Sequence, residues 1–387
     1  MAPTAVVSPR GADRVRIGHP WIYRSDVVRA EAEAGDLVRV VSERGRRVGS
    51  AFWSSTSQIA LRFVSGGLVE DERELFRERL RAAIAYRESL AIEGDACRLV
   101  HGEADRLPAL IVDRYGDYLV VQTLCQGTDR RIALITDLLV ELAQPRGILA
   151  RNDPKVRRLE GLEERVDPLY GEVPERIDAR EGTIRYRVDV RHGQKTGLFL
   201  DQRENHQAAA RYARGRALDA FTYSGGFALP MAGRCDAVVV IDSSAEALAL
   251  TRENAAQNGI TNLEIREANV FDELRELEVS GERFDTIVLD PPAFAKNRAS
   301  VERAVAGYKE INLRALKLLN PGGHLLTCSC SYHVDESLFT EIVSAAASDA
   351  HAVVSLVEKR MQARDHPVLL NVPETYYLKC LVLRKIA

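Results

Sequence analysis

From about residue 217 the chain settles into a rhythm of short apolar runs and helical segments, and each of three runs carries an acid at or near its end. Ala217-Leu218-Asp219-Ala220-Phe221 opens onto Thr222-Tyr223-Ser224-Gly225-Gly226-Phe227, Ala237-Val238-Val239-Val240-Ile241 ends on Asp242, and Phe284-Asp285-Thr286-Ile287-Val288-Leu289 ends on Asp290-Pro291-Pro292. Buried strands alternating with helices define an α/β domain. A glycine turn after one strand, with an acid about twenty residues on at the end of the next, is the arrangement of a nucleotide-type site. The glycines let backbone approach the ligand, and the acid accepts hydrogen bonds from ribose hydroxyls.

A phosphate binder would carry Gly-x-Gly-x-x-Gly or a P-loop, and the sequence has neither. The aromatic-rich turn suits instead a nucleoside with a sulfonium-bearing amino-acid tail, S-adenosylmethionine. Its expected contacts are Asp219, Phe221, Tyr223, Ser224, Gly225 and Gly226 in the turn and Asp242 with Ser243 at the second strand end. Asn269 and Val270 follow the third strand, with Asn269 facing the adenine amino group, and Asp290 ends the fourth. Two prolines stiffen the exit from that strand and would hold a carbonyl and the Phe294 ring over the reactive methyl.

At 387 residues the chain exceeds one ordinary core and implies two or three domains. Residues 1–70 show short alternating runs broken by Gly and Pro, which reads as a small β-barrel. Trp21, near Arg24, either stacks on a base or packs in that core. Residues 71–175 form an α+β unit: an amphipathic helix from Asp71 to Ile92, two strands around Asp113-Arg114-Tyr115-Gly116-Asp117, a helix from Arg131 to Leu142, and a strand over Gly147-Ile148-Leu149-Ala150. Residues 155–180 are charged, contain Pro168 and Pro174, and read as a surface connection. A hydrophobic share of 46% with 28% charged residues, no signal-peptide pattern and no bilayer-length apolar run point to a cytoplasmic protein away from membranes. The formal net charge of −3 requires any RNA contact to use local basic patches. Six cysteines without paired metal-ligand spacing are expected as thiols, with no metal site.

One stretch resists a packing account. Thr327-Cys328-Ser329-Cys330-Ser331 follows Asn320-Pro321-Gly322-Gly323-His324-Leu325-Leu326, a turn feeding a buried strand. Strand alternation puts Cys328 and Cys330 on one face and the serines on the other. A buried Cys is ordinarily a small hydrophobe, whereas two thiols downstream of Asp219, Asp242 and Asp290 invite chemistry.

Together with Gly193-Gln194-Lys195-Thr196-Gly197-Leu198-Phe199-Leu200-Asp201-Gln202-Arg203, Asp365-His366-Pro367-Val368 and Pro373-Glu374-Thr375-Tyr376-Tyr377-Leu378-Lys379, these motifs resemble the bacterial large-subunit rRNA cytosine-C5 methyltransferase family, within the class I Rossmann-like methyltransferases. The resemblance spans essentially the whole chain. It implies a PUA-type RNA-binding barrel over 1–70, an α+β middle domain over 71–175 and an S-adenosylmethionine-dependent catalytic domain over 176–387, with large-subunit rRNA as partner and a homodimer as a family possibility. The first of the quoted segments corresponds to a hairpin before the first core strand, and adds Lys195, Thr196, Phe199 and Gln202 to the cofactor contacts. Trp21, Arg24, Arg203, Phe294 and Lys296 become the RNA contacts.

In such enzymes a thiolate adds to cytosine C6 to make C5 nucleophilic. The family spacing, seven residues after the second glycine of the turn, lands on Cys330, which is preferred to Cys328. Glu374 resembles the proton-abstracting Glu of uracil-C5 enzymes, and Asp290 is assigned to the N3/N4 edge of the base. Three departures stand out: Asn269 replaces a commoner acid, His206 a commoner Arg, and Ala293 the second Cys of an Asp-x-Pro-Cys motif. Two rivals remain at this point, methylation of guanine N7 or an exocyclic amine without a nucleophile, and a non-catalytic RNA-binding assembly factor.

Overall fold

The computed structural model describes residues 3–295 and 297–387. The chain divides into two compact units, one comprising Met1–Ala179, Val188–Gly197 and Arg364–Thr375, the other Arg180–Arg187, Leu198–Ala363 and Tyr376–Ala387.

The first unit contains two sheets. Thr4–Val7, Trp21–Tyr23, Val27–Glu31, Leu37–Ser42, Arg47–Trp53 and Ile59–Ser65 form a six-stranded sheet, with Thr4–Val7 parallel to Leu37–Ser42 and its other pairs antiparallel. Alternation sends Ala5, Val7, Val38, Val40, Ala51 and Leu61 into one core. A helix over Pro9–Arg16, absent from the sequence reading because it carries few apolar residues, is begun by Ser8, whose hydroxyl accepts the Gly11 N–H, with Pro9 in the first turn.

The second sheet takes its five strands in chain order: Ala96–His101, Leu110–Tyr115, Tyr118–Thr123, Gly147–Asn152 and Arg165–Gly171. Helices Glu72–Ser89 and Ile132–Ala143 bury Phe76, Leu80, Ile135 and Leu139 against it. The segment expected as a surface connection thus supplies an edge strand, Arg165–Gly171, antiparallel to Gly147–Asn152. Its residues are largely exposed and so lack an apolar signature, and Pro168 is tolerated because an edge strand need not offer every N–H.

The second unit is built on seven strands, labelled here β1 (Arg216–Ala220), β2 (Ala237–Asp242), β3 (Leu263–Glu267), β4 (Phe284–Leu289), β5 (Leu319–Ser329), β6 (Val354–Met361) and β7 (Lys379–Lys385). Their order is β3-β2-β1-β4-β5-β7-β6, parallel through β5, with β7 antiparallel to both neighbours. Both faces are covered, which explains the unbroken apolar runs. Leu218, Ile241, Ile287 and Leu325 pack with helices Val270–Val279, Val301–Leu318 and Glu336–Asp349, and Ala217, Val240, Val288 and Leu326 with Arg203–Tyr212 and Ala228–Ala232. The Asn320-Pro321-Gly322-Gly323 turn is absorbed into the irregular start of β5, where the register with β4 shifts between Phe284 and Thr286. Strand order reverses between β1 and β4, so the chain leaves their carboxyl ends in opposite directions and opens a crevice there.

Candidate active site

The loop after β1 is coiled tightly. Phe221, Tyr223 and Gly225 have φ of +67°, +50° and +87°, a left-handed region that side chains rarely adopt and that tends to cluster at functional sites. Neighbouring elements hold this backbone. Asp242, at the end of β2, accepts the Tyr223 N–H on Oδ2 and the Ser244 N–H on Oδ1, each at 2.9 Å. From helix Ala245–Gln257, the Thr251 hydroxyl donates to the Tyr223 carbonyl at 2.8 Å and Asn254 Nδ2 to the Ser224 carbonyl at 3.1 Å.

Beneath the turn, Asp219 Oδ2 accepts from the Thr222 hydroxyl at 2.6 Å and the Ala228 N–H at 3.0 Å. Its Oδ1 is buried and finds no hydrogen-bond partner among the described residues. Burial raises the Asp219 pKa to about 7; the Thr222 bond opposes this and the nearby Asp290 charge adds to it. Gly226 has no room for a side chain, since a Cβ there would lie 2.8 Å from the His206 ring. That ring meets Phe227 edge-on at 4.5 Å and its Nδ1 is 2.6 Å from Glu181 Oε1. Burial disfavours the imidazolium, but Glu181, with Asp290 and Asp219, holds its pKa above the usual value.

The loop after β4 faces this turn. Asp290 Oδ1 accepts from Gln202 Nε2 at 2.8 Å, and Gln202 Oε1 accepts from Asn205 Nδ2 at 2.6 Å. The Cys330 Sγ lies 3.8 Å from the Pro291 carbonyl oxygen. Ser331 locks the two loops together: its Oγ accepts the Ala295 N–H at 3.1 Å and pairs with the Tyr308 hydroxyl at 2.9 Å. Phe294 packs against Tyr308, Phe271 and Phe221, with ring centroids 4.7, 5.8 and 6.5 Å away, which gives the crevice an apolar flank.

The structure therefore brings Asp219, Phe221, Tyr223, Ser224, Gly225, Gly226, Asp242, Asp290, Gln202 and Cys330 to the carboxyl ends of β1, β2, β4 and β5. Phe199 joins them, its ring 5.2 Å from that of Tyr223. Ser243 is exposed beside Asp242, and Val270 is buried in the core. Asn269 caps helix Val270–Val279, its Oδ1 accepting the Phe271 N–H at 2.9 Å.

The remaining expected residues have the following surroundings. Lys195, Thr196 and Glu374 belong to the first unit. There the buried Thr196 hydroxyl donates to Asp113 Oδ2 at 2.6 Å and pairs with the Tyr115 hydroxyl at 2.9 Å, and Glu374 Oε2 lies 3.6 Å from His19 Nε2. Trp21 donates its indole N–H to Glu103 at 2.8 Å, and Arg24 bonds the Ser54 and Ser57 carbonyls, so both have partners within that unit. Arg203 opens helix Arg203–Tyr212 and is only 1% exposed, within the second unit rather than on its surface. The segment resembling a hairpin is a turn followed by that helix; the hairpin is the preceding pair, Arg176–Glu181 and Ile184–Asp189. Lys296 lies outside the described residues. Glu181, Thr251 and Asn254 had no signal in the sequence, because their partners are backbone or ring atoms more than twenty residues away.

Carboxylates at three strand ends, one with an unpaired buried oxygen, a strained glycine turn and an aromatic flank fit a cationic nucleoside ligand such as S-adenosylmethionine and disfavour a phosphate. A family model described as S-adenosylmethionine-dependent methyltransferase matches residues 157–384, and one described as PUA-like domain matches residues 5–66. Fold and crevice are those of a Rossmann-like, S-adenosylmethionine-dependent methyltransferase with a PUA-like N-terminal domain. Similar proteins narrow the class. The chain is 43% identical over 381 residues to the ribosomal RNA large subunit methyltransferase I of Tolumonas auensis, covering 95% of this chain and 96% of that one. To the proteins of the same name from Aeromonas hydrophila and Escherichia coli O127:H6 it is 41% identical over 377 residues and 38% over 376, each covering 95% of both chains. The chain belongs to the ribosomal RNA large subunit methyltransferase I family. Its fold is shared by a methyltransferase-like protein crystallised with SAH, at a TM-score of 0.85 and 20% identity over 98% of this chain and 99% of that one.

Proposed function

We propose that the chain transfers a methyl group from S-adenosylmethionine to C5 of a cytosine in large-subunit ribosomal RNA, through a covalent bond between Cys330 and C6. The name of its relatives supports the RNA. The observation that carries the cytosine chemistry is the Cys330 thiol at the end of β5, 3.8 Å from the carbonyl of Pro291 in the loop beside the cofactor crevice. Cys328 is a poorer nucleophile: it is buried inside β5 opposite Cys380, and burial, reinforced by Cys380, pushes its thiol well above the usual range.

S-adenosylmethionine supplies an electrophilic methyl. The Cys330 thiolate adds to C6, and the C5–C6 π pair moves onto the ring to make C5 nucleophilic. Asp290, held by Gln202, accepts from the exocyclic amine edge of the base. Once C5 carries the methyl group, a base removes the C5 proton, the double bond reforms and the thiolate leaves. Glu374 is the candidate for that base. The target cytosine must leave its stack for C5 to be reached.

Trapping tests this. RNA carrying 5-fluorocytidine has no C5 proton to lose, so the wild-type protein should form a stable adduct and Cys330→Ala none, while Glu374→Gln should accumulate the adduct on ordinary RNA. Bisulfite sequencing of large-subunit rRNA should show one protected cytosine that depends on the protein. Full methylation by Cys330→Ala, or a new methyl on guanine N7 or an exocyclic amine, overturns the proposal.

A further inference from the structure

We propose that Lys379 is a positioning residue for Cys330, its buried ammonium stabilising the thiolate and anchoring the loop that carries it. The inference rests on Cys330 being the nucleophile. Antiparallel pairing sets Lys379, the first residue of β7, opposite Ser329, the last of β5, so its side chain leaves the sheet where the chain turns toward Cys330. The residue is 2% exposed. Its Nζ donates to the Ser331 carbonyl at 2.7 Å and the Tyr377 carbonyl at 3.0 Å. Ser331 is thus held at its hydroxyl by Ala295 and Tyr308 and at its carbonyl by Lys379, which fixes Cys330 from its C-terminal side.

A lysine this deep normally pairs with a carboxylate. Here both acceptors among the described residues are neutral carbonyls, and the charges acting on the amine are those of Cys330, Asp335 and Glu336. The two acids are already engaged: Asp335 caps helix Glu336–Asp349 through the Leu338 N–H, and Glu336 bonds Lys359 and Tyr376. Burial lowers the Lys379 pKa to about 8, with Cys330 and the two acids opposing the fall, so near neutrality the ammonium persists, and among the described residues no carboxylate hydrogen-bonds it. A thiolate at Cys330 supplies a counter-ion. The thiol proton goes to water, Lys379 keeps its own proton, and no bond to nitrogen forms.

The test follows the rate of iodoacetamide alkylation of Cys330 in the full chain against pH, read on its own peptide by mass spectrometry. In the wild type the inflection should fall below the ordinary thiol value of about 8.5. Lys379→Gln keeps the donors without the charge and should raise the inflection by about one unit, an approximately tenfold slower reaction at pH 7. Lys379→Arg should stay near wild type. An unchanged inflection in a folded Lys379→Gln overturns the proposal. So does a wild-type inflection at or above 8.5, which decides the matter even if the variant fails to fold. The assay contains neither RNA nor cofactor, so it judges the pair alone, whereas adduct trapping judges the nucleophile.

Discussion

Asp219 and Asp242 show how far a residue's type announces its work. Both were legible as acids at strand ends. What their oxygens do was not, because it depends on loops folded over them. Asp242 spends both oxygens on the N–H groups of Tyr223 and Ser244. Hydrogen bonds to a charged group contribute about 1.5–3 kcal/mol each, so Asp242→Ala should weaken S-adenosylmethionine binding at least about tenfold in calorimetry, by loosening the turn as well as removing the acid. Asp219 has a folded-state pKa raised from 3.8 to about 7. The folded state therefore holds this proton more tightly than the unfolded chain, and the stabilisation, complete below the unfolded value, is lost as pH rises through about 7. The midpoint of thermal unfolding should fall between about pH 4 and pH 7 in the wild type and fall less in Asp219→Asn. Asp219 is one of the charges that raise His206, so the variant also trims the His206 contribution, and parallel curves would reject a role for the Asp219 carboxyl.

At the level of elements, the strands buried on both faces were readable and the exposed ones were not. β1, β2 and β4 appear as continuous apolar runs, whereas Arg165–Gly171 has an edge position and a polar surface and so reads as a connection. The glycine turn was found, but the reason for its second glycine lies in another helix. A methyl group at 226 would press on the His206 ring, which is itself held by Glu181, so neither neighbour can retreat cheaply. Overpacking of this kind costs about 1–3 kcal/mol. Gly226→Ala should lower stability by that amount in urea unfolding and reduce cofactor affinity. Gly233→Ala, with open space around it, should stay within about 0.5 kcal/mol of wild type.

For the whole molecule, a ligand that binds only the folded state stabilises it by about 2.7 kcal/mol at a hundredfold excess over Kd. Adding S-adenosylhomocysteine should raise the unfolding midpoint. Amide exchange should slow at residues 219–226, 242–244 and 290–294; protection spread evenly over the first unit instead would contradict the crevice at β1 and β4. By itself the sequence determined the α/β class, the strand ends that bear acids, the cofactor type and the segment holding the thiols, because apolar periodicity and glycine placement are local properties of the chain. The tertiary structure gave Cys328 and Cys330 different surroundings. Strict alternation put both on one face, but β5 ends at Ser329, leaving Cys328 sealed against Cys380 and Cys330 beside Pro291. The antiparallel entry of β7 between β5 and β6 likewise set Lys379 opposite Ser329, within reach of the Ser331 carbonyl, because pairing between strands about fifty residues apart depends on the assembled sheet rather than on local pattern.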